Sequence, residues 1–464
     1  MKIIIAGAGS VGTHLAELLS KENQDIVVVD ENPDKTEALS SSDYDLMTLN
    51  VSPTSIAGLK EAGVPHADLF IAVTPAETTN VTCCALAHTL GAKKTVARVD
   101  NWEWMQPAAQ EHFKGMGIDS LIYPETLASA EIIEGLKRSW ARQYWEVHGG
   151  ALVMLGVKLR EEAVALYGKP LKKLCDAETP YHIVAVKRDE QTIIPTGDTE
   201  LLKGDIAYFM TTKKHIQTIR QLVGKENYAD VKDVMVMGGG SIAFHVIRNR
   251  PENMRLKVIE MNEARCQRLS ELLDAEDAMI IQGDGRDTHL LLDEGIRGMQ
   301  AFCALTPNAE NNILACLAAK RLGVRKTVAQ VENMEYVSLA EKLDIGTIIN
   351  KKTIAASHIY RMMMNTDVAS LHRLTIANAD VAEFIAQEGS EITKDKISEM
   401  SFPRGVTLGG LVRDGVGLPI SGNTQIKAGD IVVVFSLAGL IQEMDHYFAA
   451  PTSVISRLKS ALIH

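Results

Sequence analysis

Apolar positions along the chain fall into two alternating textures. Short unbroken apolar runs are followed by longer stretches in which apolar side chains recur every three or four residues. At the start, the runs Lys2–Ala6, Asp25–Asp30, Leu46–Leu49, Leu69–Thr74 and Thr95–Val99 predict strands. Between them, THLAELLSKE (13–22) and TNVTCCALAHTLG (79–91) carry helical spacing. Strands that alternate with helices imply right-handed crossovers and a parallel, doubly wound sheet.

The same texture returns after about 230 residues. IIIAGAGSVGTHL (3–15) faces VMVMGGGSIAFHV (234–246), and ADLFIAVTPAETTN (67–80) faces MQAFCALTPNAENN (299–312). LGAKKTVARVDNWEW (90–104) faces LGVRKTVAQVENMEY (322–336), so Asn80 pairs with Asn312. Order and spacing agree throughout, which identifies a tandem duplication.

Each copy is followed by a shorter β-rich segment, clearest in HIVAVKRDEQTIIPTGDTELLKGDIAYFM (182–210) and GVTLGGLVRDGVGLPISGNTQIKAGDIVVVF (405–435). In these, Gly204-Asp205 answers Gly429-Asp430 and Pro195 answers Pro419. The expected fold class is therefore α/β, with two tandem Rossmann-like doubly wound parallel sheets, each followed by a small α+β domain. The expected boundaries are 1–123, 140–224, 231–350 and 368–450, with GKENYADVKD (224–233) as the hinge between halves.

Gly7-Ala8-Gly9-Ser10-Val11-Gly12 follows a strand and opens a helix. Gly7 permits the tight turn, Gly9 lets a pyrophosphate approach the backbone, and Gly12 lets helix and strand pack closely. The helix N-terminus then offers free N–H groups to phosphate. Asp30 ends the second strand, where a carboxylate bonds a ribose 2′-hydroxyl and repels a 2′-phosphate, favouring NAD(H) or a plain adenine nucleotide over NADP(H). The second copy keeps Gly238, Gly239, Gly240 and Ser241, with Glu260 as the acid and Ala243 in place of the third glycine. Ends of later strands should border each crevice. There Asn50-Val51 stands against Gly283-Asp284, Val73-Thr74 against Leu305-Thr306, and Arg98 against Gln330. Arg98 can meet a phosphate as a charge and Gln330 cannot, so the two crevices should differ in the phosphates they favour.

Composition narrows the field. A net charge of −11 disfavours nucleic acid, which needs a basic face, and anionic lipid. The best apolar run, Ile431–Leu440, is far short of the ~18 residues of a membrane-spanning helix. The Gly-rich turn directly after MKIIIA marks a strand, not a signal peptide. The six cysteines contain no Cys-x-x-Cys pair and are expected to be small buried hydrophobes.

A dehydrogenase needs a proton donor beside the nicotinamide, and none is legible. His14 and His245 fall in first helical turns, better suited to packing, and His66, His88 and His112 have no spaced acid. No Walker, H-E-x-x-H or G-x-S-x-G motif occurs. Arg188-Asp189 and Arg413-Asp414 read as hairpin turns, Trp102 and Trp104 as packing or interface residues, and Met362, Met363 and Met364 as helix packing. Binding without catalysis, and without a metal, is the expectation. The alternatives are an NAD-dependent oxidoreductase with a duplicated core and a free-standing nucleotide sensor.

The segments MKIIIAGAGSVGTHLAELL with Asp30, ADLFIAVTPAETTN, KKTVARVDN and their partners from Val234 to Asn333 resemble the TrkA family of potassium-uptake regulatory proteins. The likeness covers nearly the whole chain. It implies two RCK (KTN) domains, each with a TrkA-C domain, and a homo-oligomeric ring, either a tetramer giving eight RCK units or a dimer. It also implies a TrkH/TrkG-type membrane subunit as partner and a cytoplasmic, peripheral place on the inner membrane. NAD(H), with ADP or ATP as further ligands, would bind Gly7, Ala8, Gly9, Ser10, Val11, Asp30, Val73, Thr74 and Arg98. In the second half the positions would be Gly238, Gly239, Gly240, Ser241, Ile242, Glu260, Leu305 and Thr306, with Gln330 as a further candidate.

Overall fold

The computed structural model describes residues 1–20, 24–176, 178–189, 191–228, 231–274, 276–364, 370–374, 379–437 and 440–450. Expectations that touch other positions, such as part of the 224–233 hinge and the end of the 13–22 helix, lie outside the described residues there, as do the side chains of Met363 and Met364.

The first repeat holds β1 (Lys2–Ala6), β2 (Asp25–Asp30), β3 (Met47–Asn50), β4 (Leu69–Ala72), β5 (Thr95–Arg98) and β6 (Ser120–Ile122). They form one sheet in the order β3-β2-β1-β4-β5-β6, with every pairing parallel. A second sheet contains β7 (Gln143–Val147), β8 (Leu152–Lys158), β9 (Tyr181–Arg188), β10 (Gln191–Ile193) and β11 (Ile206–Thr211). The second repeat follows with β12 (Asp233–Met237), β13 (Arg255–Glu260), β14 (Met279–Gln282), β15 (Ala301–Ala304), β16 (Lys326–Gln330) and β17 (Thr347–Ile349). Its order, β14-β13-β12-β15-β16-β17, copies the first. The last sheet is β18 (Ser370–Leu374), β19 (Ala379–Ile385), β20 (Val406–Arg413), β21 (Val416–Pro419) and β22 (Ile431–Leu437).

Two compact units divide the chain. One joins residues 1–136 with 231–363, the other 137–230 with 364–464. The duplication is therefore not stacked end to end: like domains pair with like.

In the first unit, β1 and β12 are buried almost throughout, as a central strand covered on both faces must be. Strand order reverses between β1 and β4, and between β12 and β15. That reversal opens a crevice at the carboxyl ends of the strands, beside each Gly-rich turn. The helix Pro124–Lys137 closes the first repeat in sequence but not in space. Its Ala128, Ile132, Ile133 and Leu136 pack in one core with Val234, Val236 and Ile242 of the second repeat. The two repeats are thus held together by a shared apolar core, the dominant stabilising term for such contacts.

The second unit packs two antiparallel five-stranded sheets, ordered β10-β9-β11-β8-β7 and β18-β19-β22-β20-β21. Leu152, Met154, Val184 and Tyr208 of one meet Val381, Val412, Val433 and Phe435 of the other. The Arg-Asp dipeptides sit at hairpin turns, with Asp189 at φ 53° and Asp414 at φ 52°, between β9 and β10 and between β20 and β21. Each arginine also clasps the aspartate of the Gly-Asp pair. Arg188 reaches Asp205 at 2.9 Å, and Arg413 reaches Asp430 at 2.6 Å.

Four cysteines are buried as expected, whereas Cys175 and Cys266 are half-buried; all six are free thiols. Burial drives the Cys303 thiol up to about 12, which keeps it protonated and unreactive.

Candidate functional site

Each Gly-rich turn is wired to its acid by the same pair of bonds. Gly7 adopts φ +113° and donates its N–H to the Val29 carbonyl at 2.8 Å. The Ala8 amide donates to Asp30 Oδ2 at 2.7 Å, and Asn32 N–H donates to Oδ1 at 2.9 Å. In the second repeat, Gly238 lies at φ +101° and donates to Ile259 at 2.9 Å. Gly239 N–H meets Glu260 Oε2 at 2.6 Å, and Asn262 N–H meets Oε1 at 2.8 Å. The acids are buried, so these charge-assisted bonds compensate their desolvation and fix the turn before any ligand arrives. Each carboxylate oxygen keeps a lone pair for a ribose hydroxyl.

The helices that follow, Ser10–Ser20 and Ser241–Arg248, point their N-termini into the crevices. Space is open above Gly9 and Gly240: a Cβ on either meets no atom within 4 Å. That is the room a pyrophosphate needs against bare backbone.

Val73 and Leu305 continue the central strands, donating to the Ala6 and Met237 carbonyls at 2.9 and 2.8 Å. Thr74 and Thr306 then turn away under the control of a residue the sequence reading passed over. Asn80 accepts from Thr74 N–H at 2.8 Å and from its hydroxyl at 2.7 Å, and donates to Thr74 O at 3.0 Å and Arg98 O at 2.9 Å. Asn312 does the same to Thr306 and Gln330, with bonds of 3.2, 2.6, 2.7 and 2.8 Å. Both amides are fully buried, so each staples the ends of two neighbouring strands at the crevice wall. The only sequence signal was the pairing of the two asparagines across the repeat.

Arg98 and Gln330 diverge as their side chains require. Arg98 Nη2 pairs with Asp100 at 2.9 Å, while Gln330 Nε2 donates to Glu332 at 3.1 Å. The third-strand comparison needs correction. Asp30 is in register with Asn50, and Glu260 with Gln282. Asn50 therefore matches Gln282, and Gly283-Asp284 matches Val51-Ser52 rather than Asn50-Val51. Sequence alone could not place the one-residue shift because the loop between strands differs.

The second crevice encloses about 1140 Å³, and its wall is shared between the repeats. Gly238, Gly240, Glu260 and Thr306 line it from the second repeat, Trp102 and Tyr123 from the first. His245 is buried where they meet. Its ring lies 4.8 Å from that of Trp102 and 5.2 Å from Tyr123, whose hydroxyl is 3.4 Å from Nε2. Burial lowers the His245 pKa, with Arg248 adding to the effect and Glu125 opposing it. Glu125 itself pairs with Lys351 of the second repeat at 2.8 Å. Trp102 is thus an interface residue between the repeats, and the His245 ring packs against it while also lining the second crevice. Its counterpart His14 is half-buried beside Glu17, at 3.4 Å. Among the described residues, no cluster of three or more His, Cys, Asp or Glu could hold a metal ion, and no helix is long and apolar enough to cross a membrane.

A duplicated parallel sheet with two such crevices defines a tandem protein of the Rossmann class. Comparison with known proteins narrows this further. The TrkA-N domain model matches residues 3–124 and 234–351, and the TrkA-C domain model matches 157–224. The chain belongs to the TrkA family. It is 30% identical to the Trk system potassium uptake protein TrkA of Halomonas elongata, over 94% of this chain and 95% of that one. It is 27% identical to the TrkA homolog 2 of Methanosarcina mazei, over 97% and 100%. Among solved structures, the GsuK RCK domain superposes with a TM-score of 0.57 at 16% identity, covering 97% of this chain and 95% of that one. The GsuK channel bound to NAD gives the same score and identity over 97% and 79%. At that identity the likeness speaks for the fold.

Proposed function

We propose that the chain is a non-enzymatic regulatory subunit of a potassium uptake system that senses nucleotides in both crevices. The observation that carries this reading is the doubled site. Two Gly-rich turns are each tied to a buried acid, each with open backbone at the middle glycine. NAD(H) is the primary ligand, and ADP or ATP compete for the same crevices. Gly7 to Gly12, Asp30, Val73, Thr74 and Arg98 serve the first site. Gly238 to Ile242, Glu260, Leu305 and Thr306 serve the second. The NAD named with a GsuK channel of the same fold supports the ligand class.

The partner is a TrkH/TrkG-type potassium-translocating membrane subunit, met at the cytoplasmic face of the inner membrane. The working form is a homo-oligomeric ring of four chains with eight RCK units, or a dimer. The four structural pieces act as RCK domains at 1–123 and 231–350 and TrkA-C domains at 140–224 and 368–450. A nucleotide moves such a ring only through its difference in affinity for two ring states. The shared wall of the second crevice supplies a means, because a ligand there touches both repeats.

Binding of NADH, NAD, ADP and ATP to the wild type, Asp30→Ala and Glu260→Ala tests this. Each substitution should weaken the nucleotide at its own crevice. If neither weakens any nucleotide, the crevice assignment fails. Steady-state nicotinamide reduction with a small hydroxy acid would instead favour an oxidoreductase.

A further inference from the structure

The two repeats differ in charge on the helix that follows the acid, outside the fingerprint. The helix Glu263–Leu272 directly follows the ribose acid Glu260. Its Arg265, Arg268, Leu269 and Leu272 recur at helical spacing and all line the second crevice. Leu269 places this face against the Gly-rich turn: its Cδ1 lies 2.7 Å from where a Cβ on Gly239 would stand. Arg265 and Arg268 have no ion-pair or side-chain hydrogen-bond partner among the described residues, whereas Arg286 on the opposite wall is held by Asp284 at 2.7 Å. In the first repeat the matching positions are Lys35 and Ala38. Lys35 Nζ stands 3.9 Å from Asp30 Oδ2, so this helical position reaches the ribose acid.

We infer that the second crevice accepts an adenine dinucleotide carrying a phosphate on its adenosine ribose, the NADP(H) class, while the first prefers the unphosphorylated NAD(H) class. A ribose phosphate beside Glu260 would be repelled by one carboxylate whose two oxygens already accept backbone N–H groups. Against that repulsion stand two guanidiniums with unused donors, each capable of paired, charge-assisted bonds to phosphate oxygens. In the first crevice Asp30 faces a single lysine that it already engages, and Ala38 offers nothing. The inference rests on the proposal that the crevices bind nucleotides and adds which ribose each tolerates.

The test isolates the second crevice with Gly9→Asp, which sets a carboxylate where the first crevice needs a phosphate, at a position where an added Cβ meets no atom within 4 Å. Titration calorimetry on this full-length variant should show NADP⁺ binding about tenfold or more tighter than NAD⁺. Adding Arg265→Ala and Arg268→Ala should abolish that preference while ADP affinity stays within about twofold, with circular dichroism reporting the fold. The converse variant, Gly240→Asp, should favour NAD⁺. Equal affinities on Gly9→Asp, or a preference that survives loss of both arginines, would overturn the inference. So would a preference for ATP over NADP⁺, which would assign the arginines to a γ-phosphate. Absence of all nucleotide binding on Gly9→Asp would instead sink the proposal that the second crevice is a site.

Discussion

A Cβ on Gly12 would lie 1.8 Å from the carbonyl oxygen of Gly7. The helix and the turn that feeds it touch backbone to backbone there, and no rotamer change can relieve the overlap. In the second repeat Ala243 occupies the same position, fully buried in the apolar core that joins the repeats. The two turns share a hydrogen-bond pattern but not a shape at this point.

Gly12→Ala should therefore destabilise the first domain, by about 1–3 kcal/mol as overpacking does. Ala243→Gly should cost about 1 kcal/mol through helix propensity alone. Denaturant unfolding of the two variants checks the contrast, and equal losses would contradict the geometry.

Asn80 and Asn312 each bind two strand ends through four hydrogen bonds. Their replacement by alanine leaves a half-buried threonine N–H and a strand carbonyl without that partner, for a loss of about 1–3 kcal/mol. Because the freed loop carries Thr74 or Thr306, nucleotide affinity at the affected crevice should fall as well. Thermal melting with and without ADP reads both effects. A variant that keeps full stability would show that the staple is dispensable.

His245 contributes one source of acid sensitivity to the paired repeats. Its folded pKa is lowered by burial, so the unfolded chain binds a proton at a pH where the native ring does not. The native state should hold full stability above the ordinary histidine pKa of ~6.5 and lose it progressively as pH falls below that value. Tyr123, pushed up to about 12 by burial and by the nearby Glu125 charge, stays neutral throughout and offers no compensating charge. His245→Phe should flatten this part of the stability profile between about pH 7 and 5. A profile as steep as that of the wild type would place the acid sensitivity elsewhere.

Much of the site was legible because repetition turned weak motifs into paired ones. Lys2–Ala6 and Asp25–Asp30 are each built on an unbroken run of four apolar residues, and their bounds coincide with β1 and β2. The sixth strands, Ser120–Ile122 and Thr347–Ile349, were missed. At three residues each they carry no period, and only the sheet edge beside β5 or β16 makes them strands. The shared wall was also invisible. Nothing local marks Trp102 as a neighbour of His245, because that contact depends on the helix Pro124–Lys137 packing on the other repeat. Arg98 was expected to face phosphate, and the structure pairs it with Asp100, two residues along and just past the end of β5.

The central claim is two nucleotide sites per chain, and counting them is the most direct test. Gly9→Asp and Gly240→Asp should each block one crevice, since an added Cβ at either glycine meets no atom within 4 Å. Titration calorimetry with NADH should give two equivalents bound per wild-type chain, one for each single variant and none for the double. An unchanged stoichiometry in the single variants, or binding that persists in the double, would contradict the account.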